Sequence, residues 1–249
     1  MLLLYPGRRD TSPELLASGL RLGDRARAER PYLALNMVST LDGKATIEWR
    51  TKGLSSELDR RLFHQLRTQV DAVMVGAGTL RAERYGRIAK SEELRERRVS
   101  EGLAREPLAI IVSGRLNLPA DLPLLQEPEQ EVVIVTRSDA ELRGTAARIE
   151  YVRTGDDLPL LMGKLRAERG VRSILCEGGP TLNFHLLAAG LVDELFLTLG
   201  AKLSGGAAAL TIVAGRDLVE PVELGLVWVA EGAGDLFTRW RVATPTATP

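Results

Sequence analysis

A series of short, unbroken apolar runs, each followed by a turn and then a helical pattern, sets the strongest limit on what this chain can fold into. Tyr32 to Val38, Ala72 to Val75, Leu108 to Val112, Val132 to Val135, Ser173 to Cys176 and Glu194 to Leu199 read as strands. Runs that are apolar throughout, rather than alternating, belong to strands covered on both faces. Between them, a helix is expected to start at Ser55 or Ser56, with Glu57 and Asp59 in its first turn, where the helix dipole favours acids. Leu58, Leu62 and Leu66 share one face of it, and further helices are expected over Leu158 to Glu168 and Thr181 to Ala189. Strands alternating with helices predict an α/β fold with a mostly parallel central sheet flanked by helices. The end differs: Leu224 to Ala230 and Leu236 to Val242 flank Glu231-Gly232-Ala233-Gly234-Asp235, which predicts a C-terminal antiparallel hairpin at one sheet edge.

The chain has 249 residues, which one such domain can occupy. We expect residues 31–244 to form it, with residues 1–30 as an N-terminal extension carrying a short helix near Pro13 to Leu20. The Pro/Thr/Ala residues 245–249 are expected to be a disordered tail. The 33 basic and 33 acidic residues cancel, so nothing marks a nucleic-acid binder. Cys176 is the one cysteine, and His64 and His185 lie apart on expected helices, so no metal site is predicted. His64 reads as a helix-surface residue, and Arg95 to Arg98, mixed with glutamates, as a solvated segment. No apolar run is long enough to cross a bilayer, and Met1 to Tyr5 is too short for a signal peptide. A cytoplasmic protein without a membrane partner is expected.

In open α/β sheets, ligands bind beyond the carboxyl ends of the strands, so the residues following each strand are the candidates. Ser39-Thr40-Leu41-Asp42-Gly43-Lys44 puts hydroxyls and an acid at the rim, although Asp-Gly also suits a plain turn. Gly76-Ala77-Gly78-Thr79 precedes Glu83, but Arg81 stands where a dinucleotide fingerprint needs its last glycine. Glu177-Gly178-Gly179-Pro180-Thr181-Leu182 turns from strand to helix with Pro at the first helical position. Its backbone N–H groups suit a pyrophosphate, and the same glycines also suit a ligand-free tight turn. Ser113-Gly114-Arg115 could hold a 2′-phosphate or be an exposed loop.

In their joint order these segments resemble the pyrimidine reductases of riboflavin biosynthesis. Gly190-Leu191-Val192-Asp193-Glu194-Leu195, Lys202-Leu203 and Gly205-Gly206 extend the resemblance over roughly residues 30 to 243. The resemblance implies a dihydrofolate-reductase-like fold, NADPH as cofactor, a phosphorylated pyrimidine as substrate and a homodimer. For the dimer, Val227 to Ala230 offers an apolar strand edge that a partner chain could cover. Many relatives also carry a zinc deaminase half, whose cysteine pair is missing here, so a stand-alone reductase is expected. By matching position, Ser39 or Val38, Thr79, Glu83, Ser113, Arg115 and the stretch Gly178, Gly179, Pro180, Thr181 and Leu182 would line the cofactor site. Thr51, Arg67 and Arg87 would contact substrate, with Glu177 at the junction of the two ligands. Two features depart from the family pattern: Glu83 stands where Asp is also met, and Arg84-Tyr85-Gly86-Arg87 follows it loosely.

The reaction implied is hydride transfer to C1′ of a ribosylamino side chain, giving a ribitylamino chain. Glu177 and Asp42 are the acids expected to orient polar groups or assist the proton. Two other readings stand beside it: a dihydrofolate or pterin reductase on the same fold, and a nucleotide-binding module without catalysis.

Overall fold

The computed structural model describes residues 1–46, 53–155, 157–206 and 210–243. Its centre is a sheet of eleven strands among the described residues. In chain order these are β1 (Leu2–Tyr5), β2 (Arg9–Asp10), β3 (Tyr32–Thr40), β4 (Ala72–Gly76), β5 (Leu108–Val112), β6 (Glu131–Val135), β7 (Arg148–Val152), β8 (Ser173–Cys176), β9 (Glu194–Gly200), β10 (Leu224–Gly232) and β11 (Asp235–Val242). The helices are α1 (Pro13–Ala17), α2 (Glu57–Leu66), α3 (Ala77–Glu83), α4 (Glu92–Ser100), α5 (Leu158–Arg169) and α6 (Pro180–Ala188). The order across the sheet is β2-β1-β10-β11-β9-β3-β8-β4-β5-β6-β7, parallel from β9 to β7 and antiparallel on the other side. No helix among the described residues is long and apolar enough to cross a membrane.

Successive strand side chains point to opposite faces, so each apolar run fills two cores at once. Val73, Val75, Ile111 and Ile134 pack with Leu62, Leu66 and Leu80 of α2 and α3. Ala72, Met74, Ile110 and Val133 pack on the other face with Leu161, Met162 and Leu165 of α5 and Leu186 of α6. Local chemistry sets the helix ends. The Ser56 hydroxyl accepts from the Asp59 amide at 3.2 Å to start α2. Gly170, at φ +65°, closes α5 in the left-handed region that glycine tolerates.

The hairpin forms, with two differences from expectation. Its turn is only Ala233-Gly234, both at positive φ, with Gly232 paired to Asp235, which is the geometry that matches strand twist. It also does not end the sheet. Residues 1–30 contribute β1, which pairs with β10 through Leu2↔Glu231, Leu3↔Ala230 and Tyr5↔Val229, and β2 lies outside it. At the edge Val227 to Ala230, which a partner chain could have covered, Val229 and Ala230 are therefore paired with the chain's own beginning. Leu3, Leu16, Ala17, Leu20 and Leu22 join the core, so this segment is part of the packing.

β7 was not anticipated: Arg148 and Glu150 break its apolar pattern because it is the far edge strand and half meets solvent. Arg95 to Arg98 is helical, but Arg98 is fully buried rather than solvated. Its guanidinium donates to the carbonyls of Arg67, Val70 and Ala104.

Leu3 is 2% exposed between β10 and the core. Leu3→Ala should cost about 2–4 kcal/mol in urea denaturation, the range for a buried leucine. An unchanged midpoint would mean that β1 adds no stability to the sheet.

Candidate active site

At the carboxyl ends of β3, β4 and β8 lies a cleft of about 390 Å³, where the strand-end rule places ligands. α2 and the loop after α3 form its other wall. A larger cavity of about 490 Å³ lies at the amino ends of β4 to β8, between Asp71, Arg105, Arg148 and Arg169. Its arginines are already engaged: Arg169 with Glu131 at 3.0 Å, Arg148 with Glu131 at 3.3 Å, and Arg105 with Glu92. Strand direction and free polar groups both favour the smaller cleft.

Glu177 follows β8 and enters the cleft 6% exposed. Its two oxygens accept from Arg67 Nε at 2.7 Å and Nη2 at 2.8 Å, a side-by-side fork that fits a carboxylate. Arg67, past the end of α2, is 4% exposed, and its Nη1 donates to the Ile88 carbonyl at 3.1 Å. Phe63 and Tyr85 flank the guanidinium, with ring centres 4.0 and 5.3 Å away. Arg67 therefore lines the cleft with its fork on Glu177 and holds that carboxylate in place.

The glycine turns meet beside this pair. Gly76 donates its amide to the Gly178 carbonyl at 2.7 Å. A Cβ on Gly179 would come within 2.7 Å of the Thr79 hydroxyl, and one on Gly178, at φ +82°, within 3.2 Å of Met37 Sδ. The peptide between Gly178 and Gly179 is cis. Gly179 caps α6 without a side-chain bond, leaving the first amides of the helix to other acceptors. Such a cradle, with backbone bare of side chains at a helix start, fits a dinucleotide pyrophosphate. Thr79 and Glu83 line the cleft next to it. Pro180 is half-buried, Thr181 exposed and Leu182 buried at the start of α6. Val38 lines the cleft while Ser39 is buried beside it. Ser113 is buried at the end of β5 and Arg115 is exposed, away from the cleft itself. Arg137, which sequence reasoning missed, lies against Gly114, its Nη2 3.3 Å from where a Cβ would stand.

Two expected site residues are elsewhere. Asp42 is exposed, outside the cleft, and accepts from the Thr40 hydroxyl at 2.5 Å and from the Ser204 and Gly205 amides at 3.1 and 2.7 Å. These bonds, the hydroxyl first, hold its carboxyl down at about 2, so it clamps two loops and is a poor proton donor. Arg87 faces Glu129 at 2.6 Å, Glu127 at 3.3 Å and Glu106 at 3.6 Å, an acidic setting that repels a phosphate. Thr51 lies outside the described residues.

The cleft also holds residues that the sequence did not single out. His64 lines it instead of lying on the surface. Burial first, then the charges of Arg67, Lys90 and Arg60, push its imidazole down to about 4, so it is neutral near pH 7. Lys90, Arg60 and Arg84 bring positive charge to the rim. Among the described residues no group of acids, histidines and cysteines could hold a metal.

A parallel α/β sheet with a polar cleft at the carboxyl ends of its strands is the arrangement in which α/β enzymes place their ligands. The chain matches the family described as RibD C-terminal domain over residues 31–236, and it belongs to that family. It is 33% identical over 196 residues to the 2,5-diamino-6-ribosylamino-4(3H)-pyrimidinone 5′-phosphate reductase of Archaeoglobus fulgidus, covering 77% of this chain and 90% of the relative. The reductase of the same name from Methanothermobacter thermautotrophicus is likewise 33% identical over 196 residues, covering 77% of this chain and 87% of the relative. In fold, the chain is similar to a pyrimidine reductase-like protein from Corynebacterium diphtheriae, with a TM-score of 0.77 and 21% identity over 94% of this chain and 100% of that one. The fold is thus the α/β one expected, mostly parallel with a C-terminal antiparallel hairpin.

Glu177→Gln leaves the Arg67 charge buried without its counter-ion. It should cost about 3–5 kcal/mol in denaturant, the range for breaking a buried pair from one side. A loss below the range of a surface substitution would mean that the pair carries no structural weight.

His64 carries a pH signature. Its folded value lies below its unfolded one, so the unfolded chain binds the extra proton and stability falls as pH drops from 6.5 towards about 4. His64→Gln should flatten the unfolding midpoint across that window while keeping the further loss below it, where Asp42 titrates. An unchanged slope would show that His64 is not the residue responsible.

Proposed function

We propose that this protein is an NADPH-dependent reductase that converts the ribosylamino side chain of a 5′-phosphorylated pyrimidine to the ribitylamino form. The observation that carries the reading is the meeting of the Gly76 and Gly178–Gly179 turns, packed too closely on each other, Met37 and Thr79 for any side chain, next to Glu177 and Thr79 of the cleft. The names of the two archaeal reductases favour the diaminopyrimidinone form of the substrate over the uracil form.

NADPH, when bound, supplies the hydride. The first amides of α6 and the Thr79 hydroxyl would hold its pyrophosphate end, with Glu83 nearby, while Ser113, Arg115 and Arg137 at the ends of β5 and β6 suit a 2′-phosphate. Val38 and Met37 present apolar and backbone surface to the reacting end, which excludes water from it. Glu177, fixed by the Arg67 fork, accepts a hydrogen bond from a sugar hydroxyl at the junction of cofactor and substrate. Its own orientation cannot drift, and a one-ångström error in placement is costly in rate.

The substrate phosphate needs cations, and the arginine pair expected for it is already paired with acids. Lys90, with Arg60 beside it at the rim, takes that role. Desolvation against the cleft wall, then the Arg67 charge, lowers the Lys90 ammonium from its usual value, with Glu177 opposing. An incoming phosphate would relieve this.

The test is oxidation of NADPH by the purified protein with the ribosylamino-pyrimidine 5′-phosphate, in diaminopyrimidinone and uracil forms, and dihydrofolate as comparator. Turnover of a pyrimidine form supports the reading, and turnover of dihydrofolate alone overturns it. Lys90→Ala should raise KM for the phosphorylated substrate at least about tenfold, the effect of losing one charge-assisted contact. Its Kd for NADPH should not change. An unchanged KM would remove Lys90 from the phosphate site.

A further inference from the structure

Reducing an imine takes a proton as well as a hydride, and the obvious acids of the cleft are poorly suited to give one. Glu177 accepts at both oxygens from Arg67. Tyr85 is held well above its ordinary value, by burial first and then by the Glu177 charge. Neutral His64 would have to become an imidazolate to donate.

Asp59 is different. It stands on α2 in the cleft wall, 9% exposed, with its carboxylate bonded by the Ser55 hydroxyl and within reach of Thr198 on β9. Asp235, the first residue of β11 and 5% exposed, adds its negative charge to the setting of Asp59. One oxygen of Asp235 accepts from the Ala201 amide at 3.1 Å, and the other is buried without a hydrogen-bond partner. A carboxyl buried in the cleft wall that also feels the negative charge of Asp235 is costly to ionise, which favours its protonated form.

We propose that Asp59, backed by Asp235, is the acid that protonates the substrate nitrogen. The proposal rests on the reductase reading above. Hydride from a reduced nicotinamide forms the new C–H bond at C1′ of the open-chain imine. The C=N π pair moves onto nitrogen, and the Asp59 O–H bond breaks as the N–H bond forms. The carbon is reduced, the nicotinamide is oxidised, and Asp59, left as a carboxylate, regains its proton from water entering the cleft that it lines.

The charge environment agrees with this. Burial is the largest influence raising Asp59, and Asp235 adds to it. The Ser55 and Thr198 hydroxyls and Arg60 act in the opposite direction. Lys202, past β9, is tied to the Gly53 and Leu54 carbonyls, and His64 on the same helix is neutral. The required form of Asp59 is the protonated one, so turnover should fall on the alkaline side as that proton is lost.

The experiment compares wild type, Asp59→Asn and Asp235→Asn in three readouts: kcat against pH, Kd for NADPH, and carboxyl titration of the ligand-free protein by carbon NMR. Asp59→Asn should lose about 10²–10⁴-fold in kcat, as for removal of a general acid. It should keep its NADPH affinity and lose both the alkaline limb and the Asp59 carboxyl signal, which in wild type titrates above the ordinary aspartate range. Asp235→Asn removes a neighbouring negative charge, so the limb and the signal should move to lower pH by on the order of one unit. This second variant decides the matter if Asp59→Asn fails to fold. Wild-type turnover with an unchanged rate and limb in Asp59→Asn, or an unmoved limb in Asp235→Asn, overturns the proposal and leaves the reductase reading standing. Absence of wild-type turnover on any pyrimidine form overturns both.

Discussion

Arg67 and Glu177 meet through two parallel hydrogen bonds in a place that excludes water, and the cleft is built around that contact. The two residues are 110 positions apart, one past the end of α2 and the other past the end of β8. Taking both charges out of water costs several kcal/mol each, which their attraction offsets only if the remaining polar atoms are also satisfied. Here they are: Ile88 accepts the remaining guanidinium arm, and Phe63 and Tyr85 supply aromatic faces. Arg98, itself buried, donates to the Arg67 and Val70 carbonyls and fixes the backbone that carries the pair. A hydrophobic pair of similar volume would fill this space at less electrostatic cost. An oriented carboxylate in the cleft would then be lost, which is a reason to keep charge there.

The same contact explains why the glycines stand where they do. With Glu177 held, the chain must turn at once into α6, and the Gly178 carbonyl docks on the Gly76 amide. Side chains at Gly178 or Gly179 would strike Met37 or Thr79. The turns after β4 and β8 therefore share one surface, and the sheet order that makes these strands neighbours is what brings them together. Ligand-binding capacity in this fold follows from strand adjacency plus missing side chains, more than from any one motif.

Continuous apolar runs made the inner strands legible, with Ser173–Cys176 and Leu108–Val112 matching residue for residue. β7 escaped because it is an edge strand that carries charge, and β1 because four residues are too few to show a period. Glu177, Thr79 and the Gly178–Gly179 turn were readable because strand-end chemistry is local. Partner choice is not. Nothing near Arg87 announces three glutamates from residues 106 to 129, and Asp42 meets its clamping amides in a loop more than 160 positions away. His64 was read as a surface residue since a helical wheel shows only which face is apolar. A polar residue facing a cleft has the same spacing as one facing water.

Environment, rather than residue type, divides labour among the acids of this molecule. Asp42, bonded by a hydroxyl and two amides, is held as an anion down to about pH 2 and works as a clamp. Glu177, bonded by a guanidinium, is a fixed acceptor. Asp59, pushed up by burial first and by the charge of Asp235 as well, goes the opposite way. Three carboxyls with similar intrinsic acidity thus acquire different uses through the donors and charges packed around them. The partition depends on contacts made across α2, β9 and the hairpin. Closing the hairpin under β1 fixes the position of Asp235, so the strand formed by the first residues of the chain supports the electrostatics of a cleft on the far side of β9.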